Sequence, residues 1–358
     1  NYLESYLSAE LWHGITIATI ASIYHDVLMH YAELTGSPKD FVAWQGHDFS
    51  FRGLSTPESG SKVSPGHLIP FFGTDTVAAI WTINTYYSGE DTFVGGSVPA
   101  TEHSVMSAGG EVGEIETFRR LIKLHPTGIL SVVSDTWDYW NTIGSIAREL
   151  KGEIEARQPN ALGIAKVVFR PDSGDPFKII CGDDTAEIDS PEYKGSLEVL
   201  WETFGGTVNE AGYRVLNPRV GLIYGDSITL DRAYKILNGM LNRGFASCNV
   251  VFGIGSYTYQ MVTRDTLGFA VKATAAWFDD PENGSTLVEL YKDPKTGDGV
   301  KKSARGLLQV VREDGKLTLK QQVSAQDSLQ GELKLVFRNG YIPLSYTWDQ
   351  IRKNYQNS

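Results

Sequence analysis

Seven times along this chain a short, β-branched apolar run stops at a cluster of Gly, Ser, Asp, Arg or His and passes into a helix-like segment. The endings are HDFSFRG at 47–53, GTDT at 73–76, GSVPATEH at 96–103, VVSDTWD at 132–138, FRPDSG at 169–174, YGDS at 224–227 and FGIGS at 252–256. Alternation of strand and helix sustained over this length requires parallel strands joined by crossovers, and so a barrel or a doubly wound sheet. Parallel α/β folds collect their chemistry at the carboxyl ends of strands. Endings that carry arginines, carboxylates and a histidine therefore point to an α/β barrel whose strand ends converge on one site.

The organisation along the chain falls into three parts. Residues 1–40 read as a helical segment packing on a second domain, with apolar positions at helical spacing from Leu3 to Glu33, a bend near Gly14 and a stop at Gly36 and Pro38. Residues 41–268 read as the barrel; Ile129–Val133 leads into a helix over Trp137–Leu150, Val220–Tyr224 into Leu230–Leu241, and Val250–Phe252 into Tyr257–Leu267. Within it, residues 178–218 read as a surface excursion, acidic and turn-rich up to Pro191 and helical over Gly195–Thr203. Residues 269–358 read as a β-rich portion, with strands expected at Thr286–Tyr291, Leu307–Val311, Leu317–Lys320 and Leu333–Phe337 between DPKTGDG, EDGK and RNG turns.

Composition removes several function classes. A net charge of −11 argues against a protein that coats nucleic acid, because duplex binding neutralises many phosphates with a basic face. The two cysteines, Cys181 and Cys248, make neither a disulfide framework nor a zinc spacing, so a reducing, cytoplasmic setting is expected. No apolar stretch reaches membrane-span length and no signal peptide opens the chain.

Each strand ending admits a functional and a structural reading. FRPDSG delivers Arg170 and Asp172 to a tight turn: the guanidinium fork suits phosphate and the carboxylate suits ribose hydroxyls or Mg²⁺, or the pair is a salt bridge capping the turn. FGIGS is a glycine turn before a helix, able to bring backbone N–H groups to a phosphate, with Arg264 two turns further on facing a ligand or solvent. GSVPATEH puts Ser97 at a strand end and His103 in the first turn after a Thr101 cap, where the helix dipole favours neutral imidazole. Asp75 in GTDT opens a helix over 75–87, as a cap or as a ligand contact. HDFSFRG alternates His47, Phe49 and Phe51 on one strand face with Asp48, Ser50 and Arg52 on the other; Phe49 stacks on an aromatic ligand or packs in the core.

Taken in this order, HDFSFRG, GTDT, SVPATEHS, VVSD, FRPDSG, YGD, FGIG and VTRD resemble the nicotinamide phosphoribosyltransferases, of the type II phosphoribosyltransferase family. The likeness continues through YKDP at 291–294, KKSARG at 301–306, FRNG and DQIRKN, and so covers the whole chain. It implies an irregular TIM-like α/β barrel with an additional, incomplete β-rich domain, assembled as a homodimer with shared active sites. It implies transfer of the phosphoribosyl group of 5-phosphoribosyl 1-pyrophosphate to nicotinamide in NAD salvage, with Mg²⁺ as cofactor and ATP as coupled co-substrate.

The resemblance also assigns residues. Phe49 stacks on the nicotinamide ring, Asp75 accepts from the carboxamide, and Ser97 lines the same pocket. Arg170 and Asp172 lie at the base and ribose, Gly225 and Asp226 form the ribose turn, and Gly255 and Ser256 hold the 5′-phosphate. Arg52 and Arg264 meet phosphates, Lys272, Lys292 and Lys301 meet pyrophosphate or ATP, His103 takes phosphate from ATP, and Asp135 lies near Mg²⁺. Ser256 stands where the family has a glycine.

The family carries an N-terminal region ahead of the point matching Asn1, which supplies part of the β-rich domain and, across the dimer, a second aromatic on the base. The polypeptide alone is accordingly expected to be weakly active or inactive, and a longer parent active. The alternatives are a nicotinate phosphoribosyltransferase and a catalytically silent nucleotide-binding barrel.

Overall fold

Val220–Tyr224 is buried at every position and Gly128–Val133 at all but one, the profile of strands covered on both faces. A computed structural model of the chain describes residues 2–87, 92–293 and 303–357. The first strands in chain order are β1 (Gly46–Asp48), β2 (Gly73–Thr74), β3 (Gly128–Val133), β4 (Ala165–Arg170), β5 (Gly206–Val208), β6 (Arg214–Leu216), β7 (Val220–Tyr224) and β8 (Val250–Ile254). Six of them form one parallel sheet in the order β2-β1-β8-β7-β4-β3.

The third of the seven endings supplies the closure. Gly96 pairs with Gly73 on β2, and Ala100 pairs with Ser131 on β3, so the segment between them joins the two edges of the sheet. Its bonds are Thr74 N–H to Gly96 O at 3.0 Å and Ser131 N–H to Pro99 O at 2.9 Å. The result is the expected TIM-like α/β barrel, with the seven endings at one rim. Fully buried Phe118, Phe169, Phe245 and Phe252 pack between strands and surrounding helices, each worth about 1.5–3 kcal/mol of transfer free energy.

Several elements differ from the sequence reading. The N-terminal stretch is one continuous helix, Tyr2–Thr35, with no break at Gly14. Gly14 serves close approach instead: a Cβ there would lie 3.3 Å from Lys62 O, and one on Gly66 would lie 2.7 Å from Gly14 O. The stop at Gly36 holds, at φ 63°, with Ser37 N–H closing on Ala32 O at 2.9 Å. The helix expected over Tyr257–Leu267 is a single turn, Ser256–Tyr259, because Met261 N–H turns back to Ser256 O at 3.2 Å. The excursion after Cys181 is only partly superficial. Its helix Ser196–Phe204 buries Leu197, Val199, Leu200 and Phe204 in the main core.

Two compact units result: residues 13–266 with the helix Trp348–Gln356, and Leu267–Thr347 with the residues up to Trp12. These divisions differ from the boundaries 1–40, 41–268 and 269–358, since both the N-terminal helix and the last helix contribute to the barrel unit. Arg352 fixes that last helix. Its guanidinium, 9% exposed as a residue, donates to the carbonyls of Leu68 (2.7 and 3.0 Å), Phe71 (3.2 Å), Phe93 (3.0 Å) and Val94 (2.5 Å). It also lies 4.3 Å from the Phe72 ring centroid.

Among the described residues the other unit holds two antiparallel hairpins. β9 (Ala275–Asp280) pairs β10 (Gly284–Glu289), and β11 (Leu308–Glu313) pairs β12 (Lys316–Gln321). Asp314 and Gly315, both at positive φ, make the tight turn that EDGK predicts. Leu333–Phe337 is not a strand: Glu332 N–H touches β11 once, at Val310 O, and the run beyond is largely exposed. The DPKTGDG turn falls largely on residues outside those described.

Candidate active site

The barrel rim brings three groups of side chains together. The first is built by β1, β2 and the closing segment. Parallel register sets His47 beside Gly73, and the imidazole lies where a Cβ on Gly73 would be 2.6 Å from Nδ1. His47 Nε2 meets Asp75 Oδ1 at 2.8 Å, and Ser97 Oγ donates to the same oxygen at 2.6 Å. Burial alone would raise the Asp75 carboxyl; the bonds from His47 and Ser97 and the charge of Arg170 outweigh it and hold the group below the usual carboxylate range. Asp75 does not cap the following helix, Val77–Tyr86, whose N-cap is Thr76.

Phe49 stands beside this pair, its ring centroid 5.1 Å from that of His47 and 5.9 Å from Arg170 Cζ. Glycines clear its place. A Cβ on Gly225 or Gly253 would come within 2.6 Å or 2.3 Å of the Phe49 ring. The regular alternation read into HDFSFRG ends there, since Phe51–Gly53 is a 3-10 turn after Ser50 enters the helical region at ψ −21°. Phe51 packs on Gly60, and Arg52 points outward to Glu102 at 3.5 Å.

The second group surrounds Asp135. One carboxylate oxygen meets His103 Nε2 at 3.1 Å; the other accepts from Asp172 N–H at 3.0 Å and Ser173 Oγ at 2.5 Å. His103 opens the helix His103–Ser107, whose N-cap is Glu102. Thr101 is not the cap: its hydroxyl is buried and accepts from Val133 N–H at 2.9 Å. Nε2 is thus the nitrogen that faces the carboxylate, and Nδ1 is the one turned away from it.

Arg170, at the end of β4, is 4% exposed and donates through Nη2 to Thr101 O at 2.8 Å, with Glu102 3.9 Å away. Its Nε is buried and has no acceptor among the described residues. Asp172 does not form the simple Arg/Asp cap. Its carboxyl is raised, first by burial and then by the charge of Asp135, while Arg170, His103 and Arg52 pull the other way, so one field joins these charged groups. Tyr224 OH, bonded to the carbonyls of Ser173 (3.0 Å) and Gly174 (2.9 Å), holds the turn that carries Asp172.

The third group is the glycine turns. Gly255 faces open space, and Ser256 Oγ fills the position of a Cβ on Gly53, which would lie 2.1 Å from it. Asp226 is exposed beside Ser227, whose hydroxyl donates to it at 3.1 Å.

Of the residues singled out from the sequence, the structure therefore gathers Phe49, Asp75, Ser97, His103, Asp135, Arg170, Asp172, Gly225 and Arg52. Arg264 is exposed and paired with its neighbour Asp265 at 3.0 Å, not on a helix face. Lys272 and Lys292 are exposed on the other compact unit, and Lys301 lies outside the described residues. Sequence reasoning missed the partners: His47 for Asp75, Tyr224 for the 173–174 turn, and Glu102 between two arginines. Their only signal was presence in the quoted endings. Among the described residues no cluster of three or more His, Cys, Asp or Glu has metal-binding geometry, and no helix is long and apolar enough to cross a membrane. Cys181 and Cys248 are free.

Comparison with known proteins identifies the family. Residues 44–340 match the model of the nicotinate phosphoribosyltransferase (NAPRTase) family. The chain is 56% identical over 354 residues to a nicotinamide phosphoribosyltransferase of Acinetobacter baylyi, covering 99% of this chain and 69% of that protein. It is 38% identical over 310 residues to one from Mycoplasma pneumoniae, covering 86% and 62%, and 33% identical over 361 residues to one from Xanthomonas campestris, covering 98% and 71%. The chain thus spans roughly two thirds of these relatives' lengths, and it belongs to the nicotinate phosphoribosyltransferase family, whose members are pentosyl-transferring enzymes.

Proposed function

We propose that this chain carries the active site of a nicotinamide phosphoribosyltransferase, forming nicotinamide mononucleotide and pyrophosphate from nicotinamide and 5-phosphoribosyl 1-pyrophosphate in NAD salvage. The observation that carries the reading is the Asp75 carboxylate, clamped on one oxygen by His47 and Ser97, with Oδ2 taking no bond from the described residues beside the half-buried ring of Phe49. An ionised carboxylate accepts from an amide NH₂ and repels the carboxylate of nicotinate, a like-charge contact whose cost grows as the bound base covers the Asp75 side chain, 42% exposed without it. The family's name points to nicotinate and the names of the three relatives to nicotinamide; the charge on Asp75 supports nicotinamide.

The chemistry asked of the protein is alignment. Phe49 presents a flat face to the pyridine ring, Asp75 sets its rotation, and the ring nitrogen is aimed at C1 of the ribose as pyrophosphate departs. The unpartnered Nε of Arg170 fits an acceptor that arrives with the ligand. Asp226 and the Gly225 turn suit ribose hydroxyls, and the open backbone at Gly255 suits a phosphate. Magnesium fits Asp172 and Asp226, in company with the substrate's own phosphates, better than Asp135, both of whose oxygens already accept from the protein. The chemistry it supplies when bound is neutralisation of the leaving pyrophosphate.

ATP coupling rests on His103. Its free Nδ1 attacks the γ-phosphorus of ATP as ADP leaves, and Asp135 holds the Nε2 proton through that step. Lys272, Lys292, Lys301 and Arg264 belong to this reading as contacts of ATP or pyrophosphate, and a cytoplasmic homodimer completes it. Replacing His103 with alanine should remove stimulation by ATP while leaving basal transfer measurable; a variant still fully stimulated removes the histidine from the scheme.

Base choice is tested by rates with each base in the native enzyme. The wild type should prefer nicotinamide, and Asp75→Asn should lower kcat/KM for nicotinamide by about ten-fold, the scale of one charged hydrogen bond, while raising that for nicotinate. A wild-type preference for nicotinate would overturn the reading.

A further inference from the structure

We infer that His47 is a positioning residue that determines which base the site accepts, by fixing Asp75 as a one-sided acceptor; the inference rests on the nicotinamide reading above. Three features of the barrel converge on it. β1 and β2 are in parallel register with His47 beside Gly73, two residues before Asp75. Only glycine at 73 leaves room for the ring, since a Cβ would stand 2.6 Å from Nδ1 and 3.1 Å from Cγ. The imidazole therefore lies across β2 and delivers Nε2 to Asp75 Oδ1 at 2.8 Å, its side chain only 12% exposed.

Ser97 reaches the same oxygen from the closing segment, at 2.6 Å. Two donors on Oδ1 fix the plane of the carboxylate and leave Oδ2 as its accepting edge. A carboxylate free to rotate about χ2 would offer either oxygen to solvent and lose that direction. The Phe49 ring, edge-on to His47 at 5.1 Å, closes the other side of the imidazole and ties the base-stacking face to the base-reading edge. One histidine thus sets both the ring and the acceptor that a bound pyridine carboxamide would meet.

A purely structural histidine would change stability or turnover with both bases alike, so the test is a double-mutant cycle read on selectivity. In the native enzyme, His47→Phe should raise KM for nicotinamide by about ten-fold with a smaller change in kcat, and narrow the nicotinamide to nicotinate ratio of kcat/KM by a similar factor. KM for 5-phosphoribosyl 1-pyrophosphate should stay as in the wild type, which also verifies that the variant folds. His47→Gln, which keeps an N–H near the Nε2 position, should recover most of the ratio.

In an Asp75→Ala background His47→Phe should have no further effect on the ratio, because the group it positions is gone. If the variant does not fold, Ser97→Ala removes the second donor to Oδ1 and should narrow the ratio in the same direction. The inference is overturned by an unchanged ratio in His47→Phe, by an unchanged ratio in Ser97→Ala where that variant stands in, or by an equal loss in the Asp75→Ala background. A wild type that does not use nicotinamide sinks the parent reading instead, and is seen before any variant is made.

Discussion

Arg170→Ala is expected to lower kcat/KM for phosphoribosyl transfer by about 10²–10³-fold, the loss found when one preorganised donor is taken from a water-poor site. The guanidinium is held before any ligand arrives: Nη2 is bonded to Thr101 O at 2.8 Å and the side chain is 5% exposed. Its buried Nε, without an acceptor among the described residues, is the group that a ligand acceptor would satisfy. Arg170→Lys should recover little, since an ammonium keeps the charge but not the planar fork that serves Thr101 and a ligand together. Loss of the bond to Thr101 O also costs about 1–3 kcal/mol of stability, so denaturation must be followed alongside the rate. An Arg170→Ala enzyme that folds and turns over at the wild-type rate would remove this residue from the site.

Arg352→Met should destabilise the barrel unit by about 3–5 kcal/mol, the range for breaking a buried charged arrangement from one side. Burial pulls the guanidinium down to about 10, partly opposed by Asp349, so it stays charged at neutral pH. Four backbone carbonyls and the faces of Phe72 and Trp348 offset its desolvation. A methionine fills similar volume but strands those carbonyls. Urea denaturation followed by Trp fluorescence measures the effect; a loss under about 1 kcal/mol would mean that water replaces the donors at no cost.

Much of the barrel was legible because its strands are short, buried and punctuated by polar endings. The third ending was the hardest. Gly95 and Pro99 interrupt its apolar pattern, and its strand role appears only as bridges to β2 and β3. Leu333–Phe337 failed the other way: an alternating pattern defines a face but not a partner, and after Glu332 the chain leaves β11.

In the site, the residue types were legible and their pairings were not. His47 and Asp75 are 28 positions apart, His103 and Asp135 are 32 apart, and only sheet register joins them. Asp135 read as a metal neighbour because a lone carboxylate at a strand end looks free. Its hydrogen bonds show it committed to aligning His103 with the turn that carries Asp172.

The helix Trp348–Gln356 also binds the barrel to the order in which the ribosome works. Residues 13–266 emerge before the hairpins, and only after both does Arg352 arrive for the carbonyls of Leu68, Phe71, Phe93 and Val94. Domains made early in synthesis usually fold as they appear. Here a unit made ahead of the hairpins is finished only after them, and any premature stop codon between the hairpins and Arg352 releases a barrel with one seam still open.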